Sequence, residues 1–175
     1  MVGYFPKITV DKPDWLKSNV VDKICSVSDC FSSGPNNWIQ EWKHNDLGLF
    51  DSEEIALSII TTDHEKFDMY AFKIYPIEFD NGKAYDFEVP FSVKGNLQEY
   101  TFLGYDAVNR STGSNFECSA LSCNHGAQHF SVNKYCLFDD LEYAYSSTAD
   151  ISKGGYEPGP WYIVEVYRKE LPTRH

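Results

Sequence analysis

The absences in this chain exclude a good deal. No apolar run approaches the roughly 20 residues of a membrane span. Met1-Val2-Gly3-Tyr4-Phe5-Pro6-Lys7 has no basic segment followed by an apolar one, so no secretory signal is expected. Basic residues are scarce, at 15 Lys and Arg against 26 Asp and Glu, for a net charge of -11. Phosphate binding needs clustered Lys and Arg, so a nucleic-acid ligand is not expected, and neither is an anionic membrane surface. There is no Gly-rich phosphate loop, no nucleophile elbow and no His-Glu-x-x-His. Internal repeats, low-complexity tracts and domain-splitting linkers are missing too, so residues 1–175 read as one domain.

What is present is aromatic and mildly apolar. Hydrophobic residues make up 42% of the chain and aromatics 16%, which is enough for a packed core without disulfide help. Five cysteines with no export signal imply a reducing, cytoplasmic setting and free thiols.

Periodicity predicts an α+β fold: a mainly antiparallel sheet of about five strands with two or three short helices. Residues 67–75 alternate as a strand that can continue past Pro76 to Phe79. Asn81-Gly82 supplies the two positive-φ positions of a tight hairpin, and a return strand follows over 84–89. Further strands are expected over 100–108, and shorter ones over 20–27 and 116–119. The run Trp161-Tyr162-Ile163-Val164-Glu165-Val166-Tyr167-Arg168 is β-branched and aromatic without a break, which places it inside the sheet. Helices are expected over about 36–44, with Trp38, Ile39 and Trp42 on one face, and after the acidic starts at 51–54 and 139–142.

The stretch from Cys118 to Cys136 concentrates reactive side chains, with three of the five cysteines and two of the five histidines. Cys25 and Cys30 have four residues between them, as do Cys118 and Cys123. Two such pairs offer four soft ligands for tetrahedral zinc, with His125, His129 or Cys136 able to replace one. The common structural spacing leaves two residues, not four, so these thiols are first read as small buried hydrophobes. No cofactor is expected, and zinc in the purified protein should be below one per chain. A nucleophilic arrangement uses the same stretch. Cys118 or Cys123 would attack, His125 or His129 would act as base, and Asn124 or Asp139 would orient it. No local sequence matches a known cysteine-hydrolase signature.

Acidic clusters at 51–54 and 139–142 are explained by helix capping. Glu78, Asp80, Asp86 and Glu88 on the hairpin arms have no such explanation, and with Tyr156 as an aromatic anchor they form a candidate interface. Three segments, Asn37–Asn45, Phe116–Asn124 and Glu157–Val166, together resemble a set of uncharacterised bacterial proteins of similar length. That resemblance implies a bacterial or phage source and no mechanism. The expectation from all of this is an acidic binding protein for a basic protein partner, of the kind found among bacterial immunity or defence factors. The alternative is a thiol- or zinc-dependent enzyme built on residues 118–136.

Overall fold

The computed structural model describes residues 3–28, 30, 34–35, 43–60, 67–89, 92–110 and 115–172. Its centre is the strand that the sequence placed inside the sheet. Strand β7 (Trp161–Glu170) pairs antiparallel with β4 (Asp68–Asp80) on one side and with β6 (Thr101–Asn109) on the other. Val164 lies opposite Ile74 and Asp106. Along β7 the side chains alternate between two cores. Trp161 and Ile163 join one; Tyr162, Val164 and Val166 join the other. A strand covered on both faces has no need of polar alternation, which explains its unbroken apolar run.

Strand β1 (Gly3–Lys7) runs antiparallel along the first half of β4, from Gly3 opposite Phe72 to Lys7 opposite Asp68. Strand β5 (Lys83–Asp86) pairs with the second half, from Ile77 to Asp80. The sheet order is therefore β1-β4-β7-β6, with β5 also on β4. The β4–β5 turn is Asn81-Gly82, with φ values of 46° and 78°, as a tight hairpin requires. β4 tolerates Pro76 because its register shifts between Ile74 and Glu78, so no ladder bond is asked of the missing N–H. A separate two-stranded ribbon joins β2 (Val10–Asp11) to β3 (Lys23–Ile24).

Helix α1 (Glu53–Ile59) begins where Ser52 Oγ accepts the Ile55 N–H at 3.2 Å, and its Ala56 and Ile59 pack into the core that holds Tyr4, Phe72 and Val166. Helix α2 (Leu141–Ile151) begins where Asp140 accepts the Tyr143 N–H at 2.8 Å. Its Ala144 and Ile151 join Phe79, Ala107, Trp161 and Ile163. Among the described residues, no helix is long and apolar enough to cross a membrane.

Two expected strands are reduced to short contacts. Of residues 20–27 only Lys23–Ile24 are in a strand. Neighbouring N–H groups bond elsewhere: Asp22 and Lys23 both donate to Lys134 O, and Cys25 donates to Tyr135 O. Residues 116–119 run beside β6 without forming a regular strand: they make one bridge, Val108 to Ser119, and backbone bonds to Asn109, whose side chain takes the Cys118 N–H at 2.7 Å. The expected helix over 36–44, with Trp38, Ile39 and Trp42, lies outside the described residues except at its end, where His44 bridges Phe50 in extended geometry.

Candidate metal centre

Two distant segments meet beside β6. The first runs along its outer edge. Asn109 holds residue 118 from both sides: Oδ1 accepts the Cys118 N–H, and the Asn109 N–H donates to Cys118 O at 3.1 Å. Ala120 N–H then donates to Ala107 O, and the chain turns so that Cys123 N–H reaches Ser119 O at 3.0 Å. This turn brings Cys118 and Cys123 to the same side. Ser119 locks it from inside: its buried Oγ accepts the N–H groups of Leu121 and Ser122 and donates to Asp106 Oδ1 at 2.7 Å.

The second segment is Cys25-Ser26-Val27-Ser28, whose side chains are all buried. Hydrogen bonds reach it from three strands. Lys7 of β1 donates its ammonium to the carbonyls of Ser26, Val27 and Ser28 at 2.9, 3.1 and 2.5 Å. Tyr70 of β4 donates to Cys25 Sγ at 3.4 Å. Asp106 of β6 accepts from Ser26 Oγ at 2.5 Å. Ser28 then joins the two segments directly: its Oγ donates to Glu117 O at 2.7 Å and accepts the Cys30 N–H at 3.3 Å.

The result is a cluster of three sulfurs. Cys30, Cys118 and Cys123 lie with all Sγ atoms within 4.8 Å of one another. Cys30 Sγ is 3.3 Å from Cys118 Sγ, and Cys123 Sγ is 3.6 Å from Ser28 Oγ. Cys30 is exposed and the other two are half-buried, so the cluster opens to solvent. Burial first, and then the Cys30 thiol beside it, pushes the Cys118 thiol up to about 12. Cys123 is raised as well, by its hydrogen bond to Cys30 and then by burial. No cation figures among the main influences on either group, whereas the Glu157 carboxylate raises Cys118 further. Without an ion the pair stays protonated, which makes poor nucleophiles and a site short of positive charge.

Of the four cysteines read as a zinc set, three converge and Cys25 does not; it is buried against Tyr70, and burial raises its thiol. Cys136 is also buried and its thiol is raised by burial. Neither His125 nor His129 belongs to the sulfur group. His125 is exposed in left-handed backbone, φ 62°, with its ring 4.6 Å from Trp15 and its Nδ1 3.0 Å from Gln128 Nε2. His129 is exposed, and Asp139 is engaged by Asn133 Nδ2 at 2.8 Å. Among the described residues, Cys118 and Cys123 are grouped with a third thiol. Spacing offered Cys30 as a partner of Cys118 and Cys123, but it paired Cys30 with Cys25 and could not show that Cys25 stays out. Lys7, Ser26, Asp106 and Ser119 were also missed. The available signal was polarity out of place: Asp106 interrupts the apolar run of β6.

The hairpin acids are split. Asp86 lies opposite Ile77 and Glu78 opposite Tyr85, so those two acids face opposite sides of the ribbon. Glu78 accepts from Tyr162 OH at 3.0 Å, whereas Asp80, Asp86 and Glu88 are exposed. β5 ends at Asp86, before Glu88. Tyr156 is half-buried, with its ring 6.4 Å from Trp161 and 6.5 Å from Phe130.

Comparison with protein-family models, with curated proteins and with solved structures finds no match.

Proposed function

We propose that this protein binds a thiophilic divalent ion, zinc foremost, through the thiolates of Cys30, Cys118 and Cys123. One observation carries the reading: three sulfurs from two remote segments meet within 4.8 Å of one another. Zinc–thiolate bonds of about 2.3 Å in a tetrahedron put sulfurs about 3.8 Å apart, so small movements suffice. The described residues supply three of the four ligands; water or a group outside them completes the set. The ion supplies the positive charge that Cys118 and Cys123 lack, and binding releases their protons. The four-residue spacing had argued for little zinc, but spacing says nothing of how closely the sulfurs of the two pairs approach. A nucleophilic cysteine has less support, because burial and the neighbouring thiol raise Cys118 and Cys123 and neither His125 nor His129 joins the sulfur group.

The test is reconstitution of metal-free protein with cobalt, followed by zinc competition. One ion per chain with thiolate-to-cobalt absorption is expected. Cys30→Ser, Cys118→Ser and Cys123→Ser should each weaken binding by about 100-fold or more, and Cys25→Ser and Cys136→Ser should not. Absence of the absorption in the wild type, or its survival in Cys118→Ser, overturns the assignment.

A second reading is favoured by the hairpin. Asp80, Asp86 and Glu88 are exposed, and none forms an ion pair with a described residue. This supports a cytoplasmic acidic binder of a basic protein, as in bacterial immunity or defence systems. The two readings are compatible, since the sulfurs and the hairpin are different surfaces.

A further inference from the structure

Five of the hydrogen bonds that tie the two thiol-bearing segments to the sheet end on Lys7 or Asp106. Asp106 is fully buried, on the strand at one edge of the sheet. One of its oxygens accepts from Ser26, in the segment that leads to Cys30, and the other accepts from Ser119, between Cys118 and Cys123. Lys7 is 1% exposed, on the strand at the opposite edge. Its ammonium gathers three successive carbonyls of the segment that leads to Cys30. Ser26 is therefore held twice, by its carbonyl to the cation and by its hydroxyl to the anion. We infer that Asp106 and Lys7 are a buried positioning pair that sets the distance between Cys30 and the Cys118–Cys123 turn. The inference rests on reading the three thiols as a metal centre.

The geometry favours this over simple core stabilisation. Burying both charges is costly, and apolar residues would have filled the same space at less expense. The polar pair instead fixes the direction of particular backbone groups. Ser119 is the point where this fixing reaches the thiols: it bonds Asp106 with its hydroxyl, accepts two N–H groups of the turn, and offers its carbonyl to Cys123 N–H. Outer groups that orient ligands in this way are commonly worth 10–100-fold in metal affinity, on the order expected here.

Asp106→Asn and Ser119→Ala test the inference against Glu165→Gln, a control that removes a buried carboxylate elsewhere on the sheet. Zinc affinity is measured by competition where all three are folded, together with thermal melting and the cobalt spectrum. Sulfur spacing is read separately, without metal, from bridging of Cys30 and Cys118 by phenylarsine oxide, mapped by mass spectrometry. Asp106→Asn and Ser119→Ala should lose about 10–100-fold in zinc affinity, change the cobalt spectrum and bridge less. Glu165→Gln should melt earlier with wild-type affinity and bridging. Wild-type affinity and bridging in folded Asp106→Asn and Ser119→Ala overturn the positioning role. If the wild type bridges the arsenical yet takes up no zinc, the metal reading fails, and reduced bridging in the two variants still supports the pair.

Discussion

Lys7 shows how much one residue can fix. A buried ammonium is tolerable only when its protons are matched, and three carbonyls do this. Replacing Lys7 with Met keeps most of the bulk and removes the donor, leaving buried carbonyls unmatched at about 1–3 kcal/mol each. Allowing for partial relaxation, Lys7→Met should cost about 3 kcal/mol near neutral pH. The loss should depend on pH through Asp106. Burial pushes the Asp106 carboxyl up to about 6; the two serine hydroxyls, the Ala107 N–H and the Lys7 charge hold it back. Its folded pKa lies above its unfolded one, so its contribution to stability is full below about pH 4 and is lost as pH rises through about 6. Without Lys7 the carboxyl rises further, and more is lost at high pH. The destabilisation measured by urea unfolding should therefore be larger at pH 8 than at pH 4.5. A loss of equal size at both pH values would show that Lys7 does not act on Asp106.

At the scale of elements, local chemistry was legible and long-range meeting was not. Asn81-Gly82 announced its hairpin, the acidic stretches 51–54 and 139–142 their helices, and β7 its interior place, because each signal is a property of neighbouring residues. The Cys118–Cys123 pair was visible in the same way. Spacing also offered Cys25 and Cys30 as its partners; that Cys30 meets the pair while Cys25 does not depends on hydrogen bonds from β1 and β6 to one irregular segment and was not legible. Gly104 shows the same limit within a strand. The sequence reads it as an ordinary strand position, but it sits at the register shift between β6 and β7 with φ +142°. An added Cβ would meet Phe138 O at 2.6 Å and Leu137 Cβ at 2.8 Å. That backbone atom cannot swing aside, since Phe138 O accepts the Tyr105 N–H at 2.9 Å. Gly104→Ala should then combine backbone strain with a clash and cost about 3 kcal/mol. Gly155→Ala, at φ +92° with nothing within 4 Å, carries strain alone and should cost about 1–2 kcal/mol. Thermal melting of the two variants checks the order; equal losses would mean that β6 shifts freely against the 137–138 segment.

For the whole molecule the net charge of -11 overstates what faces outward. Several carboxylates are used internally. Glu165 accepts from Lys73, Tyr75 and Tyr167; Glu53 from Lys169 and Tyr100; Asp68 from Thr9; Glu78 from Tyr162. What remains for a partner on the hairpin is Asp80, Asp86 and Glu88. Asp80, beside the turn, lies on the Glu78 face of the ribbon and Asp86 on the other, so the acids border both faces of the hairpin. If they serve recognition, a basic protein captured from the native host should be lost by the triple variant Asp80→Asn, Asp86→Asn, Glu88→Gln. Its affinity, remeasured with purified components, should fall between low and moderate salt, because exposed charges are screened over about 8 Å at physiological ionic strength. Cys118→Ser should keep the partner, which separates the charged surface from the thiol site. Equal binding of the purified partner to wild type and triple variant, or binding indifferent to salt, would remove the hairpin from recognition. The exposed acids would then act only in the general field that keeps chains apart and draws divalent cations toward the open sulfur cluster.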